Sequence, residues 1–207
     1  IPFQEDVCLN RALGILKAEK PDVIVLDGDI LDCWEISRFN RVPNYSKLFK
    51  EELALGYSFV SDLRQEHPDA RIVYVEGNHD YRVKAYVIRN APALYDANFL
   101  PTYLRLGELN IEWIPTQEGT NRWTDTYFSV ENLVIGHFDT VANPVIPSGM
   151  TVRNIMQKKI KKNSVVQAHV HRAAIIWDVN EEGEKRFGLE TPCLCKAPYY
   201  AGYSNWQ

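Results

Sequence analysis

No stretch of these 207 residues is apolar for long enough to cross a membrane as a helix, and no leader pattern of basic, apolar and small residues opens them. No repeat, low-complexity tract or obvious linker divides them. The length therefore bounds one large domain, or at most two small ones. Cysteine is scarce. Of Cys8, Cys33, Cys193 and Cys195 only the last two are close in sequence, and their spacing is too tight for an ordinary zinc knuckle. All four read as reduced thiols, the state expected in a cytoplasmic protein, with a metal role for Cys193 and Cys195 as the minor alternative. Basic charge is not in excess: 23 Lys and Arg stand against 27 Asp and Glu, for a net charge of -4. That argues against a wholly basic nucleic-acid binder and leaves room for a local basic patch.

What is present is an apolar content of 45%, enough for a folded core. Leu9, Ala12, Leu13 and Leu16 fall at helical spacing, and Pro21 ends that helix. Phe49, Leu53, Val60 and Leu63 mark one face of a second, longer helix that stops at His67-Pro68. Between the two runs Val23-Ile24-Val25-Leu26, and beyond them Ile72-Val73-Tyr74-Val75, both with the length and branching of buried strands. Residues 33–46 read as a loop in which Trp34, Phe39 and Tyr45 either line a pocket or pack the loop down. Tyr81 to Leu94 reads as a helix with Arg82, Lys84 and Arg89 on a solvated face, the alternative being contact with a phosphate. Tyr103–Leu106 and Ile111–Ile114 are expected as strands, and Thr126–Val130 with Asn132–Ile135 as a hairpin. Arg153 to Lys162 forms a basic helical stretch with no acidic residue. Val165–Gln167, Ala173–Val179, Lys185–Leu189 and Tyr199–Tyr203 complete the expected strands.

Chemistry gathers where apolar runs stop. The first strand ends in Asp27-Gly28-Asp29-Ile30-Leu31-Asp32, three carboxylates whose repulsion needs a cation or a hydrogen-bond network to offset it. The second ends in Gly77-Asn78-His79-Asp80: an amide oxygen that can ligate a metal, an imidazole that can move a proton near neutral pH, and a carboxylate that can orient the imidazole. A third run ends in Gly136-His137 and a fourth in Ala168-His169-Val170-His171, where alternation places His169 and His171 on one side unless the chain bends. Four of the five histidines thus follow strand ends, where open α/β sheets bind their ligands. Mixed carboxylate, amide and imidazole donors suit Mn²⁺, Fe or Zn²⁺ rather than Ca²⁺, and their number suggests two ions clamping a phosphoryl group.

The set Gly28-Asp29-x-x-Asp32, Gly77-Asn78-His79-Asp80, Gly136-His137 and Ala168-His169-x-His171 resembles, in order and broad spacing, the calcineurin-like metallophosphoesterases, with the style of bacterial and phage members. The resemblance spans most of the chain. It implies an α/β fold built as a four-layer αββα sandwich with two mixed sheets. It implies two divalent metal ions, Mn²⁺ first with Fe, Zn²⁺ or Ni²⁺ as alternatives. Asp29 would bridge them, Asn78, His137 and His169 would complete one site, and His171 would ligate the other. Asp32 would support the site, and His79, held by Asp80, would meet the phosphate or protonate the leaving oxygen.

Two departures stand out. Ala168 replaces the glycine usual in the last motif, and the family's opening Asp-x-His is absent. The expectation is a single domain over 1–207 that begins, at Ile1-Pro2-Phe3, just after a missing first strand, and that ends, at Asn205-Trp206-Gln207, short of a final one. The partner is then a phosphoester, with nucleic acid or nucleotides among the options and no membrane. The reading from another class is a metal-binding scaffold or incomplete domain without turnover.

Overall fold

The computed structural model describes residues 1–38, 49–96, 98–116, 126–139 and 147–196. Its frame is two sheets. The first is parallel, with β1 (Val23–Asp27) beside β2 (Arg71–Val75) and β2 beside β3 (Ile111–Ile114). The second runs in the order β4 (Tyr127–Val130), β5 (Leu133–Gly136), β6 (Ser164–Gln167), β8 (Lys185–Glu190), β7 (Ala174–Val179). In it β5, β6 and β8 are parallel, and β4 and β7 are antiparallel edges.

The strand sequences explain the layering. In β2 the run Ile72–Val75 is buried throughout because both of its faces are covered. Val73 and Val75 point between the sheets, where they pack with Phe128, Val23, Val25 and Ile114. Ile72 and Tyr74 point the other way, onto Leu53, Val60 and Leu63 of α2 (Phe49–Glu66) and onto Leu13 and Leu16 of α1 (Asp6–Glu19). On the far side α5 (Met150–Lys158) lays Val152, Ile155 and Met156 on Val134 and Val165. The result is helix, sheet, sheet, helix, the αββα order expected from the sequence. Each fully buried Leu or Val on these stripes contributes about 1.5–3 kcal/mol by leaving water.

Two expectations change. Tyr103–Leu106 is not a strand: α4 (Phe99–Tyr103) runs into a turn in which Arg105 takes φ 53°, a left-handed value incompatible with an extended chain. Leu100 and Leu104 are buried one helical turn apart, so the apolar spacing is that of a helix. The basic face of α3 (Arg82–Asn90) is not solvated along its length, because Arg82 and Lys84 turn inward and only Arg89 faces water. Lys84 Nζ meets Glu76 Oε2 at 3.0 Å and Arg82 Nη1 donates to the Asp32 carbonyl at 2.7 Å. In the turn between α5 and β6, by contrast, Lys161 and Lys162 are exposed and pair with Glu181 and Glu182. Trp34 is buried in a short 3-10 turn, Trp34–Ile36. Phe39, Tyr45 and Tyr199–Tyr203 lie outside the described residues.

Candidate metal centre

The carboxyl ends of β1, β2, β5 and β6 meet at one rim, since β1 faces β5 and β2 faces β4 across the sandwich. The loops after β1 and β2 press together. A Cβ on Gly28 would stand 2.7 Å from Gly77 Cα, and one on Gly77 would stand 2.4 Å from Asp29 N. Glycine is needed at both positions, and at Gly28 also for φ 78°. The contact pushes Asp29 into the left-handed region at φ 54° and aims its carboxylate across the rim.

Asp80 ties these two loops. Its Oδ2 accepts from Asp29 N at 2.8 Å and Gly77 N at 2.9 Å; its Oδ1 accepts from Leu31 N at 3.2 Å and Tyr74 Oη at 2.8 Å. Both oxygens are thereby used, and Asp80 does not orient His79 as its adjacency suggests. That contact belongs to Asp32, whose Oδ1 lies 2.9 Å from His79 Nδ1. An ionised Asp32 accepts, so the proton of the neutral ring sits on Nδ1 and Nε2 is left facing Asp29, 3.9 Å from its Oδ2. His79 N also donates to Asp29 Oδ1 at 2.7 Å.

From the other sheet, His137 Nδ1 donates to the Asp27 carbonyl at 3.0 Å, which fixes the ring and turns Nε2 inward. Nε2 lies 2.9 Å from Asn78 Oδ1, 3.1 Å from Asp29 Oδ2 and 3.2 Å from His169 Nδ1. His169 Nδ1 is 2.8 Å from Asn78 Oδ1. Simple alternation does not hold beyond β6. His169 and His171 both adopt left-handed backbone, φ 68° and 57°, so the chain bends at each. His169 joins the cluster, whereas His171 lies outside the group whose donor atoms fall within 4.8 Å of one another, namely Asp29, His137 and His169. His171 lines the same cavity of about 290 Å³ as Asp29, His79, His137 and His169.

The electrostatics follow from burial and proximity. Burial raises Asp29, but the His137 and His79 imidazoles outweigh it and hold the carboxyl well below its usual range. For His137 burial acts downward and the Asp29 and Asp27 charges win, lifting it to about 10. Burial first, then the His137 charge, depresses His169 to about 3. Burial likewise takes His171 to about 4. Asp80 is raised to about 7 by burial and by Asp29. Asp27 reaches about 8 through burial; among the described residues neither of its buried oxygens has a hydrogen-bond partner.

These residues fit a divalent cation. Among the described residues Asp29 Oδ2 is buried with no hydrogen bond, though His137 Nε2 stands 3.1 Å away, and two imidazole nitrogens crowd one amide oxygen, a convergence that a shared cation relieves. Reasoning from sequence missed Tyr74, whose hydroxyl hides in an apolar run, and Glu52, buried on α2. Glu52 carried a signal: it falls four residues before Gly56 and eight before Val60 on the buried stripe.

No match is found among curated proteins. The calcineurin-like phosphoesterase family matches residues 7–191, a span containing all four strand-end motifs, and the chain belongs to that family.

Proposed function

We propose that this phosphoesterase is dinuclear: Asp29, Asn78, His137 and His169 hold one divalent cation, and Asp29 with His171 contributes to a second. The observation that carries the reading is the convergence of Asp29, His137 and His169, whose donor atoms all fall within 4.8 Å of one another. Mn²⁺ is the first candidate, with Fe, Zn²⁺ or Ni²⁺ as alternatives; such ions, when bound, draw negative charge from a phosphoryl group and steady the attacking and leaving oxygens.

The chain's own residues supply orientation and a proton. His79 sits 8% exposed at the rim with Nδ1 engaged by Asp32, so Nε2 is the atom that gives a proton to the leaving oxygen. Asp32 holds the ring through Nδ1 at 2.9 Å, and burial of both side chains strengthens that hydrogen bond. Asp80 acts through the backbone, fixing the amides that aim Asp29 and Asn78, and takes no proton from substrate. The substrate is a phosphodiester or phosphomonoester. The pairing of Lys161 and Lys162 with Glu181 and Glu182 favours a small ester or nucleotide over a nucleic-acid track along α5.

Metal content per chain is measured together with turnover of a bis-aryl phosphodiester and an aryl phosphomonoester, before and after Mn²⁺. Two ions are expected, with turnover that falls about 10²–10⁴-fold in His79→Ala. No ion and no turnover with any added metal would replace this reading with that of an inactive scaffold.

A further inference from the structure

Glu52 belongs to α2, away from the strand-end loops, yet it is 2% exposed and carries a carboxylate into the layer beneath them. Its Oε1 accepts the backbone N–H of Asp32 at 2.5 Å and of Cys33 at 2.8 Å. The Asp32 N–H also lies 3.3 Å from Ile1 O, a longer contact. Cys33 is left-handed, φ 51°, so the chain here turns in a way a non-glycine residue takes up only under constraint. On the opposite edge of the same residue, Arg82 of α3 donates to the Asp32 carbonyl at 2.7 Å. Asp32 is therefore held by its amide from α2 and by its carbonyl from α3, and what it presents is Oδ1, 2.9 Å from His79 Nδ1.

We infer that Glu52 is a positioning residue for His79: by fixing the Asp32 peptide it sets where the imidazole points. This rests on the hydrolase reading above for its consequence in turnover, but its physical content does not. A carboxylate that only capped a turn would accept the same two N–H groups; it would not decide the state of a ring two contacts away.

The test is read first from imidazole N–H signals in the full chain with ¹⁵N-labelled histidine. A buried Nδ1–H bonded to a carboxylate gives a downfield, slowly exchanging proton, assigned to His79 by its loss in His79→Ala. His137 Nδ1–H, bonded to the Asp27 carbonyl, is the internal control. Glu52→Asp withdraws the acceptor by one methylene while keeping its charge. The His79 signal is then expected to vanish and the His137 signal to persist. Glu52→Gln keeps an Oε1 acceptor and is expected to keep both. In turnover, Glu52→Asp is expected to lower kcat about 10- to 100-fold, as a small misplacement does, with KM within about twofold, and to add nothing in a His79→Ala background. The inference is overturned if Glu52→Asp leaves the His79 signal in place, if it erases both signals together, or if folded Glu52→Gln loses the His79 signal. A wild-type chain without turnover would sink the hydrolase reading alone and leave the imidazole signals to decide the role of Glu52.

Discussion

The two sheets build their halves of the rim differently. On the three-stranded side, Asp29, Asn78 and His79 stand on loops cross-braced by one buried carboxylate that accepts four hydrogen bonds, by Glu52 on two amides, and by Arg82 on a carbonyl. On the five-stranded side, His137 Nδ1 is anchored on the Asp27 carbonyl, and His169 and His171 stand on left-handed backbone beyond the end of β6. His169 Nδ1 lies 2.8 Å from Asn78 Oδ1 and 3.2 Å from His137 Nε2. One half is organised by the fold. The other is organised around the attraction between His137 and Asp29, 3.1 Å apart. Preorganised carboxylates and less constrained imidazoles are a workable division, because repulsion among Asp29, Asp32 and Asp80 must be offset during folding, whereas the depressed His169 and His171 carry no charge to offset.

Asp29 faces both halves, so its loss should break the comparison most severely. Asp29→Asn is expected to weaken metal binding by more than about 100-fold, beyond the range for residues that merely support a ligand, and to abolish turnover. Calorimetric titration with Mn²⁺ checks the first, and an unchanged affinity would remove Asp29 from the centre of the site. Next in size is the contrast in stability without metal. Asp80→Ala strands four donors, three of them in buried hydrogen bonds, and should cost about 3–5 kcal/mol. His169→Ala removes a depressed, neutral imidazole and should cost less than about 1 kcal/mol while lowering metal affinity. Denaturant unfolding in chelator measures both. Equal losses would mean that the imidazole half is as fold-braced as the other.

The same contrast explains what could be read in advance. The four strand ends were legible because an apolar run followed by Gly or Ala and then by Asp, Asn or His is a local pattern. So was the hairpin of β4 and β5. The bracing was not. His79 and Asp80 are neighbours in sequence, but they leave a turn in different directions, and the carboxylate that meets the ring is 47 residues away in Asp32. Tyr74 looked like any residue of a buried strand until its hydroxyl had a partner. Tyr103–Leu106 failed for another reason: a few apolar residues satisfy two periods, and only Leu100, one turn earlier, favours the helix.

Protons sharpen the comparison further. His169 at about 3 and His171 at about 4 lie below the ordinary 6.5 of histidine, so between those values the unfolded chain binds more protons than the folded one. Their contribution to metal-free stability is complete above about 6.5 and is lost as pH falls toward 4. His137 at about 10 has the opposite sign: its contribution is complete below 6.5 and is lost as pH rises through 10. Mn²⁺ added at pH 7.5 must therefore displace the His137 proton and none from His169 or His171. A release of about one proton is expected from His137, read from binding enthalpies in buffers of different ionisation enthalpy. Zero release would mean that His137 is already neutral and that its attraction to Asp29 is weaker than its geometry indicates.

The smallest effect belongs far from the rim. Lys161 and Lys162 are exposed and already paired with Glu181 and Glu182 in the turn between β7 and β8, where water and salt screen whatever attraction they have. Lys161→Gln with Lys162→Gln is expected to leave the unfolding midpoint and aryl-ester turnover unchanged. The informative arm uses single-stranded oligonucleotide. If the substrate is a small ester, the double variant binds the oligonucleotide no more weakly than the parent, and the salt slope is the same for both. A slope reduced by about one to two on loss of the two charges would instead mean that each had neutralised a phosphate. The turn between α5 and β6 would then be part of a path for a polymer, and Glu181 and Glu182 would be its competitors for those lysines.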